Sequence, residues 1–204
     1  MQRRRLIFLP LAAALARPAS AWAQGAGRPP PVSGTAIAQA ARQQIGVTLR
    51  YSGAYEKLAY PNGDVPRERG VCTDVVIRAL RDAGWGDLQR LVHEDMRANF
   101  SAYPRIWGLK QTDRNIDHRR VPNLRVYFAR KSWSLRVQSD AARYQPGDLV
   151  TTVLPGNLPH IMVVSDRKTA QGMPLVIHNI GRGTQEEDGL FSFAPDGHYR
   201  LAKS

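Results

Sequence analysis

The spacing of hydrophobic residues changes near residue 135, and this change limits the folds open to the chain. Before that point, apolar residues recur at intervals of three and four, as on one face of an α-helix. After it come short runs rich in β-branched residues and bounded by Pro, Gly, Asn and Asp, which are typical of strands. Helices followed by strands indicate an α+β fold, with N-terminal helices packed on a small antiparallel β-sheet.

The same pattern predicts individual elements. Helices are expected over residues 35–46, 73–83 and 87–100, with a short one after Pro122. The intervening residues 47–70 lack sustained periodicity and predict a long surface loop. Strands are expected over residues 148–154, 160–166 and 174–180, with weaker ones over 189–193 and 198–202. We interpret residues 35–204 as one domain, with an insert over about 87–131.

The first 23 residues have the features of a bacterial signal peptide. A basic start is followed by a short apolar run, and Ala21-Trp22-Ala23 fits the small-residue cleavage pattern. We therefore expect export to the periplasm, with a flexible Gly- and Pro-rich linker over residues 24–34. An uncleaved anchor is the alternative, and the paired arginines leave twin-arginine export open.

The chain is strongly basic. Its formal charge of +12 falls to +8 when the four arginines of residues 1–23 are removed. Such a charge is typical of proteins that meet nucleic acid, an anionic membrane or an acidic polymer. Because export argues against nucleic acid, we expect electrostatic contact with the anionic cell envelope, and a basic surface without any partner is the alternative. We expect a monomer.

Cys72 is the only cysteine, so it cannot form an internal disulfide. It lies at the start of the helix predicted over 73–83, where unpaired N–H groups and the helix dipole stabilise a thiolate. A thiolate is the attacking form of cysteine and needs a base within hydrogen-bond reach. Small apolar filling of the core is the alternative, but a free thiol in an oxidising compartment favours a chemical role.

Two histidines are candidates for that base. His160 opens one predicted strand and His178 closes the next, so an antiparallel pairing places them side by side. A helix start packed at this end of the sheet would bring the Cys72 sulfur to both rings in an open groove. We therefore predict a site made of a cysteine, a base and a group that orients the base. Surface or structural histidines are the alternative.

Three blocks of sequence resemble the NlpC-type cell-wall peptidases, a bacterial branch of the papain-like cysteine hydrolases. They read GVCTDVVIRAL, PGDLVTTVLPGNLPHIMVVSD and PLVIHNIGRG. The resemblance implies that Cys72 is the nucleophile, His160 the general base and His178 the group that orients it. It also implies that Tyr51 assists and that the Cys72 backbone N–H stabilises the oxyanion. The implied reaction cleaves peptide amide bonds in the peptide stems of peptidoglycan.

Further motifs cover nearly all of the predicted domain. YPNGDVP, LVHEDM, WGLK, NIDHRRVPNL, HNIGRG and GHYR resemble an exported family of unknown function typified by the YijF proteins. This resemblance implies membership of that family and carries little established function.

Other residues are candidates for substrate binding. Asp117, His118 and Arg119 could grip a substrate carboxylate, because arginine binds carboxylates in a bidentate fork, and an ion-pair cluster that holds the insert is the alternative. Trp107 could line a groove for a sugar or peptide, or it could close the core. The usual zinc spacings and phosphate-binding glycine loops are absent from the sequence, so we expect no metal and no cofactor. A metal-dependent hydrolase, with His160, His178 and a carboxylate such as Asp166 as ligands, is the alternative.

The leading hypothesis is an exported thiol hydrolase that acts on peptidoglycan. A non-catalytic cell-wall-binding module and a thioester-forming acyltransferase or transpeptidase remain as alternatives.

Overall fold

A computed structural model describes residues 32–201. The predicted signal peptide and most of the predicted linker lie outside these residues and stay predictions. The described part contains four α-helices: α1 Gly34–Arg42, α2 Cys72–Asp82, α3 Leu88–Ala98 and α4 Val121–Arg130. Within residues 32–201, no helix has the length and apolar character needed to cross a bilayer.

Local sequence explains where the helices begin. The Asp87 carboxylate accepts the backbone N–H of Gln89 and caps α3 at its N-terminus. Pro122 lies in the first turn of α4, where the missing N–H costs no hydrogen bond. The Asp74 carboxylate accepts the Val71 N–H at 2.7 Å and closes the start of α2. All four predicted helices are therefore found, with their ends shifted by a few residues.

One antiparallel sheet forms the second layer. Its strands are β3 Ser134–Leu135, β4 Leu149–Leu154, β5 Leu158–Lys168, β6 Pro174–Asn179, β7 Thr184–Glu187 and β8 Pro195–Tyr199. They are ordered β3-β8-β4-β5-β6-β7, and every neighbouring pair is antiparallel. The predicted α+β class, with N-terminal helices on an antiparallel sheet, is confirmed.

The two weaker strand predictions need correction. Residues 189–193 form a turn rather than a strand, closed by a hydrogen bond from the Ser192 N–H to the Gly189 carbonyl. Leu190 at its centre is fully buried, so the apolar run reflects packing and not sheet pairing. The strand at the end of the chain is β8, which starts three residues earlier than predicted.

Side chains on the two faces of the sheet enter two different cores. The helices pack on one face, where Ile161 and Val163 join the cluster that also contains Cys72. On the other face Met162 and Val164 pack with Tyr144 and Leu190. The α3 and α4 helices, from the segment predicted as an insert, contribute to the first core and are not a separate layer.

The predicted loop over residues 47–70 contains a short parallel ladder. Here β1 Arg50–Tyr51 pairs with β2 Arg69–Gly70, immediately before α2. The Asn179 amide donates to the Gly70 carbonyl at 3.0 Å, which ties the end of β6 to the residues preceding Cys72. This contact connects the start of α2 to the end of β6, next to the candidate site.

Candidate active site

Cys72 is the first residue of α2 and is buried, with 4% of its surface exposed. The backbone groups of Ile161, Thr73 and Cys72 itself lie close enough to the sulfur to lower the pKa of the thiol. The start of α2 therefore places unpaired backbone N–H groups beside the sulfur, as the sequence predicts. Because Ile161 follows His160 directly, the sulfur contacts the strand that carries the predicted base.

The protonation state differs from the sequence-based expectation of a stabilised thiolate. Burial, with a smaller contribution from the nearby Asp74 carboxylate, raises the pKa of Cys72 to about 11. The backbone hydrogen bonds lower the pKa, but they do not offset the burial. In the resting structure the residue is thus a neutral thiol at neutral pH, and it needs a base to become a nucleophile.

Tyr51 lies beside this thiol. Partial burial, together with the neighbouring Cys72 and Asp74, raises the pKa of Tyr51 to about 12. The phenol is therefore protonated at neutral pH and can donate a hydrogen bond. The ring is 48% exposed, so Tyr51 lies between the buried sulfur and solvent.

The two predicted histidines meet. The Nε2 atom of His160 is 2.8 Å from the Nδ1 atom of His178, and the rings are packed edge to face. The Nε2 atom of His178 is in turn 2.9 Å from an oxygen of Glu187 on the neighbouring strand β7. A continuous chain of three hydrogen-bonding side chains therefore runs along this end of the sheet.

Burial controls the charge of both imidazoles. It lowers the pKa of His160 to about 3, with a further decrease from the neighbouring His178. Burial also lowers the pKa of His178, although the hydrogen bond to Glu187 acts in the opposite direction. Both rings are therefore neutral at neutral pH, and each carries a single proton.

The Cys72 sulfur and the two rings have different neighbours along strand β5. His160 and Met162 line a cavity of about 140 Å³, whereas Ile161 belongs to the core cluster that contains Cys72. Among the side-chain hydrogen bonds of residues 32–201, none joins the Cys72 sulfur to an imidazole, and the Nε2 atom of His160 bonds to His178 instead. Cys72 is buried in this structure, and the meeting of its sulfur with both rings in an open groove stays a prediction.

The cavity beside the imidazoles is mostly apolar. Besides the two histidines and Met162, its walls are Thr152, Leu154, Ile180, Glu187, Asp188, Gly189, Ser192 and Phe193. The turn over residues 189–193 thus supplies one side of the cavity. In the described part of the chain, no three His, Cys, Asp or Glu side chains converge on a point suitable for a metal ion.

Asp117, His118 and Arg119 do not line an open groove. They form a buried 3₁₀ turn, and the Arg119 guanidinium makes two 2.8 Å contacts with the Asp74 carboxylate. The Arg119 fork is thereby occupied, which corrects the expectation that it could grip a substrate carboxylate. Burial raises the pKa of Asp117 to about 6 and lowers the pKa of His118 to about 3.

Trp107 has a similar local role. The Arg120 guanidinium lies 4.1 Å from the centre of its ring, a cation–π contact within the segment between α3 and α4. Trp107 is absent from the walls of the cavity beside His160 and His178. The structure therefore gives no support to a groove lined by this tryptophan next to the imidazoles.

Glu187 is the residue that sequence reasoning missed. It lies nine positions after His178, beyond the GRG turn, and belongs to no catalytic motif considered above. A usable signal was the tight turn itself, because a hairpin after His178 returns the following acidic run TQEED to the histidine. That inference requires β7 to be recognised as a strand.

These features define an α+β protein with a buried thiol at a helix start and a chain of two histidines and a glutamate on the adjoining sheet. Residues 38–201 match the family described as Domain of unknown function (DUF1287). Since this match spans most of the chain, the protein belongs to that family.

Two comparisons give relatives of this chain. It is 58% identical over 165 residues to the uncharacterized protein YijF of Escherichia coli (strain K12), covering 81% of this chain and 80% of that protein. Among solved structures it is similar to NlpC1 from Trichomonas vaginalis, with a TM-score of 0.44 and 12% identity. That alignment covers 84% of this chain and 45% of the other, so this chain spans less than half of NlpC1.

Proposed function

We propose that this protein is an exported thiol hydrolase that cleaves peptide amide bonds in the peptide stems of peptidoglycan. The observation that carries the proposal is the position of the Cys72 sulfur. It lies at a helix N-terminus against the Ile161 backbone, one residue from His160, whose ring is hydrogen-bonded to His178. A nucleophile, a base and a group that orients the base are therefore supplied by adjoining elements.

In the proposed reaction, His160 removes the proton from the Cys72 thiol. The sulfur attacks the amide carbonyl, and the Cys72 backbone N–H stabilises the oxyanion. His160 then gives its proton to the leaving amine, and water releases the acyl group. Burial penalises a free thiolate, so the proton transfer and the attack must be closely coupled.

The present contacts of the sulfur describe a resting state in this scheme. Tyr51 has to release the sulfur, and His160 has to approach it, before the proton can move. Catalytic hydrogen bonds are often long or poorly aligned without substrate and tighten only when substrate binds. Substrate insertion between Tyr51 and the sheet would provide that change.

Export supports the choice of substrate. The signal-peptide features of residues 1–23 direct the protein to the periplasm in this proposal, where peptidoglycan is the abundant peptide polymer. The basic charge favours contact with the anionic cell envelope.

The test is incubation of the purified protein with isolated sacculi, followed by mass spectrometry of the soluble fragments. We expect fragments with new amino and carboxyl ends at one peptide bond, and none above background from a Cys72→Ser variant. A His93→Gln variant is the matched control, because His93 lies outside the histidine pair and packs against Tyr60. Equal release by the protein and by Cys72→Ser would refute the enzymatic function.

A non-catalytic wall-binding module is the second candidate, and the burial of the thiol favours it. Only 4% of Cys72 is exposed and its pKa is about 11, as expected for a packing residue. This function predicts that the protein sediments with sacculi in a salt-dependent manner, that Cys72→Ala sediments equally, and that neither releases fragments.

A further inference from the structure

Glu187 contacts His178 and has no role in the reaction proposed for Cys72 and His160. One carboxylate oxygen lies 2.9 Å from the Nε2 atom of His178, and the other lies 3.4 Å from the Arg182 guanidinium. The side chain is 38% exposed, so the carboxylate reaches solvent while it contacts a buried ring. A carboxylate can accept hydrogen bonds but cannot donate them.

This contact determines where the protons lie on both rings. Because the carboxylate only accepts, the Nε2 atom of His178 must carry that ring's proton. The Nδ1 atom of His178 is then an acceptor, and the Nε2 atom of His160, 2.8 Å away, must donate to it. The neutral His160 ring has one proton, so its Nδ1 atom is left with a free lone pair.

We propose that Glu187 is a positioning residue that fixes the tautomers of His178 and His160, so that the Nδ1 atom of His160 is the base for Cys72. The inference rests on the proposed function for its catalytic consequence, whereas the tautomers themselves follow from the three contacts. It adds a fourth member to the site, outside the three residues predicted from the sequence.

The proton balance of the first step follows. The proton of the Cys72 thiol moves to the Nδ1 atom of His160, and the sulfur electron pair forms the bond to the carbonyl carbon. The Nε2 proton of His160 stays in its hydrogen bond to His178, and the Nε2 proton of His178 stays in its bond to Glu187. The positive charge that forms on His160 is then stabilised through His178 by the negative charge of Glu187.

Loss of the carboxylate would allow the opposite arrangement. His178 could then carry its proton on Nδ1 and donate it to the Nε2 atom of His160. The proton of His160 would lie on Nδ1, the atom that has to receive the thiol proton. Such molecules cannot accept the proton, and the active fraction would fall.

The experiment reads the tautomers directly. Two-dimensional ¹H–¹⁵N correlation spectra of the imidazoles of ¹⁵N-labelled protein distinguish a protonated Nδ1 from a protonated Nε2. We expect both histidines in the Nε2-protonated form in the parent protein. In Glu187→Gln and Glu187→Ala we expect a measurable fraction with Nδ1 protonated, since an amide can donate as well as accept and alanine does neither.

Asp188→Asn is the matched control. Asp188 is the next residue and also lines the cavity, but it makes no hydrogen bond to His178 among the described contacts. The substitution removes the same charge as Glu187→Gln and should leave both tautomers unchanged. Unchanged tautomers in both Glu187 variants, or an equal shift in Asp188→Asn, would overturn the inference.

Activity on sacculi provides the second measurement. We expect kcat/KM to fall at least about tenfold in Glu187→Gln, because an imidazole in the wrong tautomer is a poor base. It should change less than twofold in Glu94→Gln, which removes the same charge from the half-exposed pair with Arg90 on α3. The spectra do not depend on hydrolysis. If the parent cuts nothing but the tautomers shift as expected, the proposed function fails and the assignment of Glu187 as a positioning residue stands.

Discussion

Asp74 and Arg119 form a buried bidentate ion pair that holds the start of α2, the helix that begins at Cys72. Both contacts are 2.8 Å long, and both side chains are almost fully buried. The same carboxylate accepts the Val71 N–H, and the same guanidinium reaches the Ser52 and Ala54 carbonyls next to Tyr51. One residue between α3 and α4 thus joins the Cys72 and Tyr51 segments.

Replacing Arg119 should therefore be costly. Arg119→Ala leaves the Asp74 charge buried without a partner, and we expect a loss of about 3–5 kcal/mol in the free energy of unfolding. Urea titration followed by circular dichroism measures this loss. Adding Asp74→Ala to Arg119→Ala should cost much less than Asp74→Ala alone, because the unpaired charge is then removed.

Arg90→Ala is the control for this comparison. Arg90 pairs with Glu94 one turn along α3, and both side chains are about half exposed. Such pairs contribute less than about 1 kcal/mol. An Arg119→Ala variant no less stable than Arg90→Ala would contradict the structural role assigned to the buried pair.

Two glycines with the same backbone conformation should respond differently to alanine. Gly183 has φ +83° and Gly172 has φ +82°, so alanine is strained at both by about 1–2 kcal/mol. A Cβ at Gly183 would lie 2.4 Å from the Thr48 carbonyl oxygen, whereas a Cβ at Gly172 would meet nothing within 4 Å. We expect Gly183→Ala to lose clearly more stability in thermal unfolding.

The Gly183 substitution should also affect the site. The Thr184 N–H donates to the Thr48 carbonyl, close to the strand that carries Tyr51. Pushing these segments apart should increase hydrogen exchange at residues 48–51, while Gly172→Ala leaves that exchange unchanged. Equal destabilisation by the two substitutions would show that the close approach at Gly183 is relaxed without cost.

The buried thiol predicts a loss of stability at alkaline pH. The folded pKa of Cys72 is about 11, above the value of an exposed thiol, so the unfolded chain loses its proton first as pH rises. The contribution is complete below about pH 8.5, the pKa of free cysteine. It is lost as pH rises toward 11 at up to about 1.4 kcal/mol per pH unit, a total loss of about 3 kcal/mol. Urea unfolding across this range should show a steeper decline for the parent than for Cys72→Ala.

The rate of alkylation of Cys72 tests the same raised pKa by a kinetic measurement. Iodoacetamide reacts with the thiolate, so its rate at neutral pH should be far below that of the same protein unfolded in urea. A native reaction at pH 7 as fast as that of the unfolded chain would show that the thiol is exposed and has a low pKa.

Buried histidines predict a loss of stability in acid. Burial lowers the pKa of His118 to about 3, below that of an exposed histidine, so protons bind the unfolded chain first as pH falls. Stability from this group is complete above about pH 6.5 and is lost toward pH 3, with a slope of up to about 1.4 kcal/mol per pH unit. Between pH 6 and 4, the free energy of unfolding of His118→Ala should depend less steeply on pH than that of the parent. The difference in slope should be up to about 1.4 kcal/mol per pH unit.

Comparing slopes separates titration from packing. The cavity created by His118→Ala lowers stability equally at all pH values, whereas the proton linkage changes only the pH dependence. A variant whose slope equals that of the parent would mean that His118 is accessible to protons in the folded protein.

Much of the fold was predictable because it depends on local spacing. The apolar positions Val75, Val76, Ala79 and Leu80 have helical periodicity, and the three strong strands were identified from β-branched runs. The run at 189–193 was misread, since burial of Leu190 in a turn produces the same composition as a strand. Periodicity cannot distinguish these cases over five residues.

By itself, the sequence determined the α+β order of elements, the position of Cys72 at a helix start and the pairing of His160 with His178, because strand-end residues of a hairpin must meet. Only the tertiary structure decided the rest. It placed Glu187 against His178, occupied Arg119 with Asp74 and buried the thiol of Cys72. These relations depend on which strand lies beside which and on how deeply each group is removed from water, and neither quantity is encoded in local spacing.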